Sequence, residues 1–390
     1  MLSRPLIYLH AYAPPTRGGT PVLIHRLLSG LASDELEVVT DAALRDQVRQ
    51  GGPRVLRAPY HFVRRKGPAG NRRAVGRMLN TALNSGLAVA AGLRAAALAR
   101  RRGAGWILTV SDEGFSVIAG AVGTRLAGVP HVVMVFDLWE ENTYNRFARA
   151  LAHALEPRIL RRAARVVVHN DKMAEHYRAK HGISCAVVPT SVEPWQTASP
   201  RPRRPDGARE ILFAGAIYWA QEDALRRLSR VAQELDGVRL TIVGSGSDEA
   251  ALRARGIVAD RLESDLPPEL FRPRLEQADV LFLGLGFETA YPEIIRTAAP
   301  AKLPEYMASG RPILVHAPRG SHVAEYGREA GFAEVVDTPD EQALRAALLR
   351  LLEDPELAAG RAARAQELVR ERHEAARVRD EFCRLLESVA

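Results

Sequence analysis

Two successive runs of short apolar segments alternating with amphipathic helical stretches make up almost the whole chain. One proline-rich basic stretch, WQTASPRPRRPDGAR at 195–209, separates them. An apolar run followed by a helix and another apolar run is the signature of a parallel strand crossing over to its neighbour, so each run predicts its own parallel α/β sheet. In the first run the strands are expected at Pro5–His10, Leu36–Thr40, Val55–Ala58, Trp106–Val110, His131–Phe136, Arg165–His169 and Cys185–Pro189. In the second they are expected at Glu210–Ala214, Val238–Val243, Leu281–Leu285 and Ile313–Val315, and residues 340–388 read as nearly all helical. The expected organisation is a first domain over 1–194, a linker over 195–209, a second domain over 210–372 and a helix over 373–390 that crosses back to the first. With 390 residues the chain is long enough for two ordinary domains. The two sheets are expected to face each other across a cleft. No period of 20 to 50 residues recurs, which excludes a solenoid.

The stretch PAKLPEYMASGRPILV, Pro300 to Val315, condenses this logic. Pro300 suits a helix start, because its missing N–H would have had no partner there. Leu303, Tyr306 and Met307 share one helical face. Gly310 suits the left-handed turn that ends a helix, and Ile313–Val315 is the next strand. Lys302 and Glu305 then stand near a helix start, where free amides favour an anion. A cation, amides and a carboxylate together suit a diphosphate and a sugar hydroxyl. The alternative reading is an ordinary helix–strand unit with a solvated lysine and glutamate.

Charge narrows the partners. The formal net charge is +8, which suits a phosphorylated substrate, an anionic membrane surface or nucleic acid. No nucleic-acid motif accompanies it, so no nucleic-acid partner is expected. Much of the basic charge clusters over 64–103, where Arg64-Arg65-Lys66, Arg72-Arg73 and Arg100-Arg101-Arg102 flank an alanine- and leucine-rich helical stretch. A helix of this kind reads first as a surface helix with a solvated basic face, and peripheral contact with anionic lipid is the alternative. The two cysteines, Cys185 and Cys383, lie far apart and form no CxxC or Cys/His pattern, so neither zinc nor a disulfide framework is indicated. The N-terminus lacks the apolar run of a signal peptide. A cytoplasmic protein is expected, with peripheral contact on the inner membrane face as the alternative to a purely soluble one.

Motifs for chemistry are sparse. Gly244-Ser245-Gly246 follows a strand and suits a phosphate cradled by backbone amides. Asp112 and Asp137 end strands, where ligands bind in open α/β sheets, although a helix-capping aspartate explains either one. No metal-ligand set is present, so no catalytic metal and no cofactor are expected. GxSxG, HExxH and a Cys/His dyad are all missing.

Taken together these segments resemble the GT-B glycosyltransferases, particularly the retaining family 4 (glycosyl transferases group 1) that uses nucleotide sugars. Gly18-Gly19-Thr20 matches the family's first glycine-rich loop. ARVVVHNDKMAEHY followed by AVVPTSVEP is similar to its late N-terminal segment. ILFAGAIY, LTIVGSGSDEAAL, LEQADVLFLGL and KLPEYMASGRPILV appear in the family's order. The resemblance implies a GT-B fold of two Rossmann-like domains. It implies a nucleotide-sugar donor and transfer of a sugar to an acceptor hydroxyl, with retention and without a metal, in glycan, glycolipid or glycosylated natural-product synthesis. It also implies site roles: Gly18, Gly19 and Thr20 near the donor phosphates; Gly215 and Gly244 bordering the nucleotide; Lys302 and Leu303 at the diphosphate; Glu305 on the ribose; and Asp137 as the aspartate of a His-Asp pair. Ser245, in the glycine turn, is expected to join the donor site, and Tyr218 either lines the cleft or packs in the core. Asp137 and Lys302 are the expected catalytic residues.

The chain departs from the family pattern at three places. Thr297 occupies the position of the first motif glutamate, eight residues before Glu305. The run Gly215 to Gln221 lacks the usual Arg and Lys. Phe136 stands where the His of the His-Asp pair belongs. Lys302 is therefore the candidate phosphate cation, with Arg296 second, and Glu288 or Glu293 is the candidate substitute glutamate. A non-catalytic partner on the same fold and a nucleotide-sugar epimerase are the competing readings. The acceptor, whether a saccharide, a lipid-linked group or a small molecule, is not legible.

Overall fold

The computed structural model describes residues 2–16, 18–64, 74–111, 114–195, 207–244, 248–264 and 266–389. The chain divides into two compact units, Met1–Ser191 with Ala375–Ala390, and Val192–Glu374. The first division falls at 191/192 instead of 194/195, because Val192 donates its amide to the His373 carbonyl at 2.8 Å and bridges to Glu374. Most of the expected linker, 196–206, lies outside the described residues, and its last residue, Arg209, already opens a strand.

The first unit runs β1 (Leu6–Leu9), α1 (Gly19–Leu28), β2 (Leu36–Asp41), α2 (Arg45–Gln50), β3 (Tyr60–Val63), α3 (Ala74–Arg102), β4 (Trp106–Val110), α4 (Phe115–Ala127), β5 (His131–Val135), α5 (Arg146–Leu160), β6 (Arg165–Val168), α6 (Asp171–His181) and β7 (Ala186–Val187). Its seven strands are all parallel in the order β3-β2-β1-β4-β5-β6-β7. The strand expected at Val55–Ala58 is a correction: the third strand is Tyr60–Val63. Leu56 N–H donates to the Tyr60 hydroxyl at 3.1 Å and Ala58 N–H to the Leu56 carbonyl at 2.9 Å, so 55–58 is turned backbone. The ladder with β2 begins only after Pro59, at Val38 opposite Tyr60.

The central strands β4 and β5 are buried along their whole length, which explains their continuous apolar sequence. Helix α3 lies against α4 through small residues. A Cβ on Gly92 would come within 2.5 Å of the Ala119 carbonyl, and one on Gly123 within 3.1 Å of the Gly92 carbonyl. The last helix, α15 (Ala375–Glu387), belongs to this unit. Its Val378, Phe382 and Leu386 join the core beside Ile24, Leu27 and Leu28 of α1.

The second unit runs β8 (Arg209–Ala214), α7 (Trp219–Gln233), β9 (Val238–Val243), α8 (Glu249–Ala254), β10 (Arg261–Glu263), α9 (Pro268–Glu276), β11 (Val280–Gly284), α10 (Pro292–Thr297), α11 (Leu303–Ala308), β12 (Ile313–His316), α12 (His322–Glu329), β13 (Ala333–Val336), α13 (Glu341–Glu353) and α14 (Pro355–Leu368); α15 is Ala375–Glu387. Its six strands are also parallel, in the order β10-β9-β8-β11-β12-β13. Two apolar clusters cover the two faces of this sheet, as a doubly covered parallel sheet requires.

Candidate functional site

In the second unit the expected donor residues gather at the carboxyl ends of β8 and β9, where open α/β sheets bind ligands. Strand β8 ends at Ala214 and β9 at Val243. The next residues, Gly215 and Gly244, have φ of 133° and 155°, which favour glycine. The two turns abut: a Cβ on Gly244 would lie 2.3 Å from the Gly215 carbonyl oxygen. Gly215 N–H donates to the Val243 carbonyl at 2.8 Å, and Gly244 N–H to the Glu263 carbonyl at 3.1 Å. Both amides are thus used within the sheet ends. Ser245, the next expected donor residue, lies outside the described residues, as does Asp112.

Lys302 reaches this place from α11. Its Nζ is buried and donates no hydrogen bond. It sits 3.6 Å from the centroid of the Phe213 ring, and a Cβ on Gly215 would approach it to 3.2 Å. Burial brings the amine down to about 7 from the 10.5 of a free lysine. An amine held dry with three unused donors is a poor structural element and a ready anion receptor.

What holds α11 there is Tyr306, which periodicity marks only as part of an apolar face. Its hydroxyl accepts from Ala214 N–H at 2.8 Å and stands 3.3 Å from the Ala214 carbonyl. Burial raises the Tyr306 pKa, keeping the phenol neutral. The helix is therefore fastened to the end of β8, with Lys302 one turn before Tyr306 and Glu305 beside it. Glu305 is 9% exposed.

One expectation for this helix is corrected. It starts at Leu303 with Pro304 in its first turn, and Leu303 N–H donates to the Pro300 carbonyl at 2.9 Å. The Leu303 amide is therefore used within the chain and is not free for a phosphate. Gly310 closes the helix with φ 70°, as expected.

The motif departures have structural counterparts. Thr297 is buried and its hydroxyl donates to the Glu293 carbonyl at 2.8 Å, one turn back in α10. Glu293 pairs with Arg296 at 2.9 Å. Glu288 pairs with Arg227 at 3.1 Å and is largely exposed. Tyr218 precedes α7: its N–H points at Gln221 Oε1 at 3.4 Å and its carbonyl accepts from Gln221 N–H at 2.9 Å. Its ring is half exposed, and Trp219 packs edge-on against it and tilted against Tyr291.

A charged clamp stands behind the β9–β10 end. Arg274 donates to both oxygens of Glu210 at 2.9 and 2.8 Å and to Glu263 at 2.8 Å. Thr241 adds a bond to Glu210 at 2.6 Å. Since the Glu263 carbonyl receives Gly244 N–H, this clamp fixes the Gly244 turn. Sequence reading did not single it out, because its members lie far apart in the chain.

In the first unit, Gly18 precedes α1 with φ 134° and Gly19 opens the helix. Gly18 and Gly19 are exposed and Thr20 half-buried. Asp137 follows β5 with its side chain exposed, and its carbonyl accepts from the Ser111 hydroxyl at 2.9 Å. The loop is held by Trp139. Its indole lies over Gly114, where a Cβ would come within 1.7 Å, and its backbone N–H donates to the Tyr177 hydroxyl at 3.3 Å. Phe136, at the position of the missing histidine, packs 4.2 Å from the ring of His169. His169 Nδ1 bonds the Val188 carbonyl at 2.8 Å, and burial lowers its pKa to about 4 against that bond, so the ring is neutral. This imidazole beside Phe136 was not legible in sequence.

At the carboxyl ends of β1, β2 and β3 lies an open pocket walled by Leu9, Val39, Leu87, Ala88 and Phe115. Asn84 of α3 lines it and an adjoining polar pocket near Asn142–Asn145. Its Oδ1 is buried and accepts no hydrogen bond.

Comparisons with known proteins agree with this layout. Residues 18–191 match the family model described as Glycosyl transferase 4-like domain, and residues 208–354 match that described as Glycosyl transferases group 1. Among curated proteins no match is found. Solved structures similar in fold include a sucrose-phosphate synthase from Thermosynechococcus elongatus, at 16% identity and a TM-score of 0.71 over 99% of both chains. Anabaena Alr3699/HepE in complex with UDP and glucose is 15% identical, with a TM-score of 0.68 over 99% of this chain and 100% of that one. A glycosyltransferase from Rickettsia africae is 12% identical, with a TM-score of 0.68 over 99% of both.

Proposed function

The chain is a glycosyltransferase of the group 1, family 4 type with the GT-B fold, and on that premise we propose that it moves a sugar from a nucleoside-diphosphate donor to an acceptor hydroxyl, with Lys302 as its phosphate cation. The observation that carries this reading is the buried, hydrogen-bond-free Nζ of Lys302 beneath Gly215, where β8 and β9 end. Further support comes from HepE, a fold neighbour whose structures hold UDP and UDP-glucose.

In the proposed reaction the bond from sugar C1 to the diphosphate oxygen breaks and a bond from C1 to the acceptor oxygen forms. The acceptor proton passes to the departing phosphate, so no side-chain nucleophile is needed. Negative charge grows on the diphosphate as it leaves, and a preorganised cation stabilises that change most. Lys302, recharged by the phosphate, supplies it without a divalent ion. Glu305 accepts from the ribose hydroxyls, and Tyr218, Gly215, Gly244 and Ser245 border the nucleotide. In the first unit the proposal assigns Gly18, Gly19 and Thr20 to the donor and Asp137 to a sugar hydroxyl, with retention at C1. The acceptor is assigned to the pocket lined by Asn84.

The test is turnover of a panel of UDP-, GDP- and dTDP-sugars by the wild-type chain and by Lys302→Met and Glu305→Gln. The reading requires loss of turnover by about a hundredfold in each variant, in line with removal of one preorganised charge contact. Wild-type turnover in either variant overturns it. Binding without turnover by the wild type identifies a non-catalytic partner, and an epimerised donor identifies an epimerase.

A further inference from the structure

Six of the ten large apolar side chains that are exposed among the described residues lie on one helix, α3: Val75, Met78, Leu79, Leu83, Val89 and Leu93. Their spacing follows helical periodicity and keeps them on the outer side, while Ala88, Ala91, Ala95, Leu98 and Ala99 are buried in the core. A soluble surface seldom keeps a contiguous apolar stripe of this length without something to cover it.

The charge of this part of the sequence points to what covers the stripe. Between Asp46 and Asp112 there is no Asp or Glu, and there are thirteen Arg and Lys. On α3 itself the only ionisable residues are Arg77, Arg94 and Arg100–Arg102. An apolar stripe on a helix whose own charges are all arginines, of which Arg102 pairs with Glu37, fits the headgroup boundary of an anionic bilayer. There the leucines enter the acyl region and the guanidinium groups reach the phosphates. A second copy of this chain fits poorly, because a two-fold contact would set this acid-free cationic face against itself.

We propose that α3 is an interfacial helix that docks the first unit on an anionic lipid surface. By length and composition the helix over Val75–Arg102 is apolar enough to cross a membrane. Its inner side is fixed by the close approach of Gly92 to Ala119 and Gly123 of α4, so α3 lies in the surface and does not span it. The same helix lines the Asn84 pocket, so docking brings that pocket to the bilayer boundary. The docking itself is independent of the glycosyl-transfer reading.

Co-sedimentation of the full chain with phosphatidylcholine vesicles, with and without phosphatidylglycerol, tests this. The wild type binds the anionic vesicles and not the neutral ones, and added NaCl weakens the binding. Leu79→Glu/Leu83→Glu/Leu93→Glu lowers the affinity by roughly tenfold or more. Arg77→Glu/Arg94→Glu/Arg101→Glu, whose sites are on the exposed side, removes the preference for phosphatidylglycerol. Circular dichroism of both variants matches the wild type. Unchanged vesicle binding in the leucine variant overturns the proposal. So does equal binding to neutral and anionic vesicles, or a wild-type dimer that the leucine variant converts to monomer without any lipid binding.

Discussion

Replacing Lys302 by methionine is expected to stabilise the unliganded protein while removing its function. The fall of this amine from 10.5 to about 7 corresponds, at about 1.36 kcal/mol per pH unit, to about 5 kcal/mol of folding free energy near neutral pH. Methionine, of similar length and apolar, avoids this cost. The pH dependence has a definite sign. Between pH 7 and 10.5 the unfolded lysine holds a proton that the folded one has lost. Stability of the wild type therefore rises with pH across this window, whereas that of Lys302→Met does not. Thermal unfolding from pH 7 to 10 should show the variant several degrees more stable at pH 7, with the gap closing toward pH 10. Nucleoside diphosphate should raise the wild-type Tm and not the variant's. Titration calorimetry above pH 7 in buffers of different ionisation enthalpy should show proton uptake on binding, as Lys302 recharges. A variant no more stable at pH 7, a gap that ignores pH, or binding without proton uptake would refute the reasoning.

Other outcomes follow from the same geometry. Arg274→Met leaves Glu210, which is 2% exposed, without its cation and should cost about 3–5 kcal/mol, read by urea unfolding. Tyr306→Phe keeps the packing but frees the Ala214 amide; a loss of about 1–3 kcal/mol together with a raised donor KM would show that it positions α11. In the first unit, burial raises the Glu141 pKa but bonds from His176 and Lys180 overcome it and hold the carboxyl at about 2. Its contribution is complete above pH 4.5 and lost as pH falls toward 2, so acid unfolding of Glu141→Gln should begin from a lower stability and show a shallower pH slope in that range. Turnover should survive EDTA, measured with the donor that the wild type accepts.

Much of the architecture was legible because parallel strands buried on both faces must be continuously apolar, as in Trp106–Val110 and Val238–Val243, where expected and observed bounds coincide. The edges were less legible. Tyr60–Val63 is half-buried and carries His61, and Arg261–Glu263 is short and charged, so neither stands out from loop. At the candidate site, Lys302, Gly215 and Gly244 were singled out, and the structure brings them together. What sequence did not convey is how they meet. The bond between Tyr306 and Ala214 spans 92 positions, the Arg274 clamp joins three strands, and His169 approaches Phe136 only because β5 and β6 are neighbours. Periodicity reports which side of an element is buried, not which polar atoms meet across elements.

The central claim is tested most directly by following diphosphate release from the nucleotide-sugar panel with ³¹P NMR, using the purified chain and its Lys302→Met variant. The account predicts that at least one donor loses its sugar with the wild type and is left intact by the variant. Release that persists undiminished in Lys302→Met, or donors that bind the wild type and remain unconsumed, would contradict it.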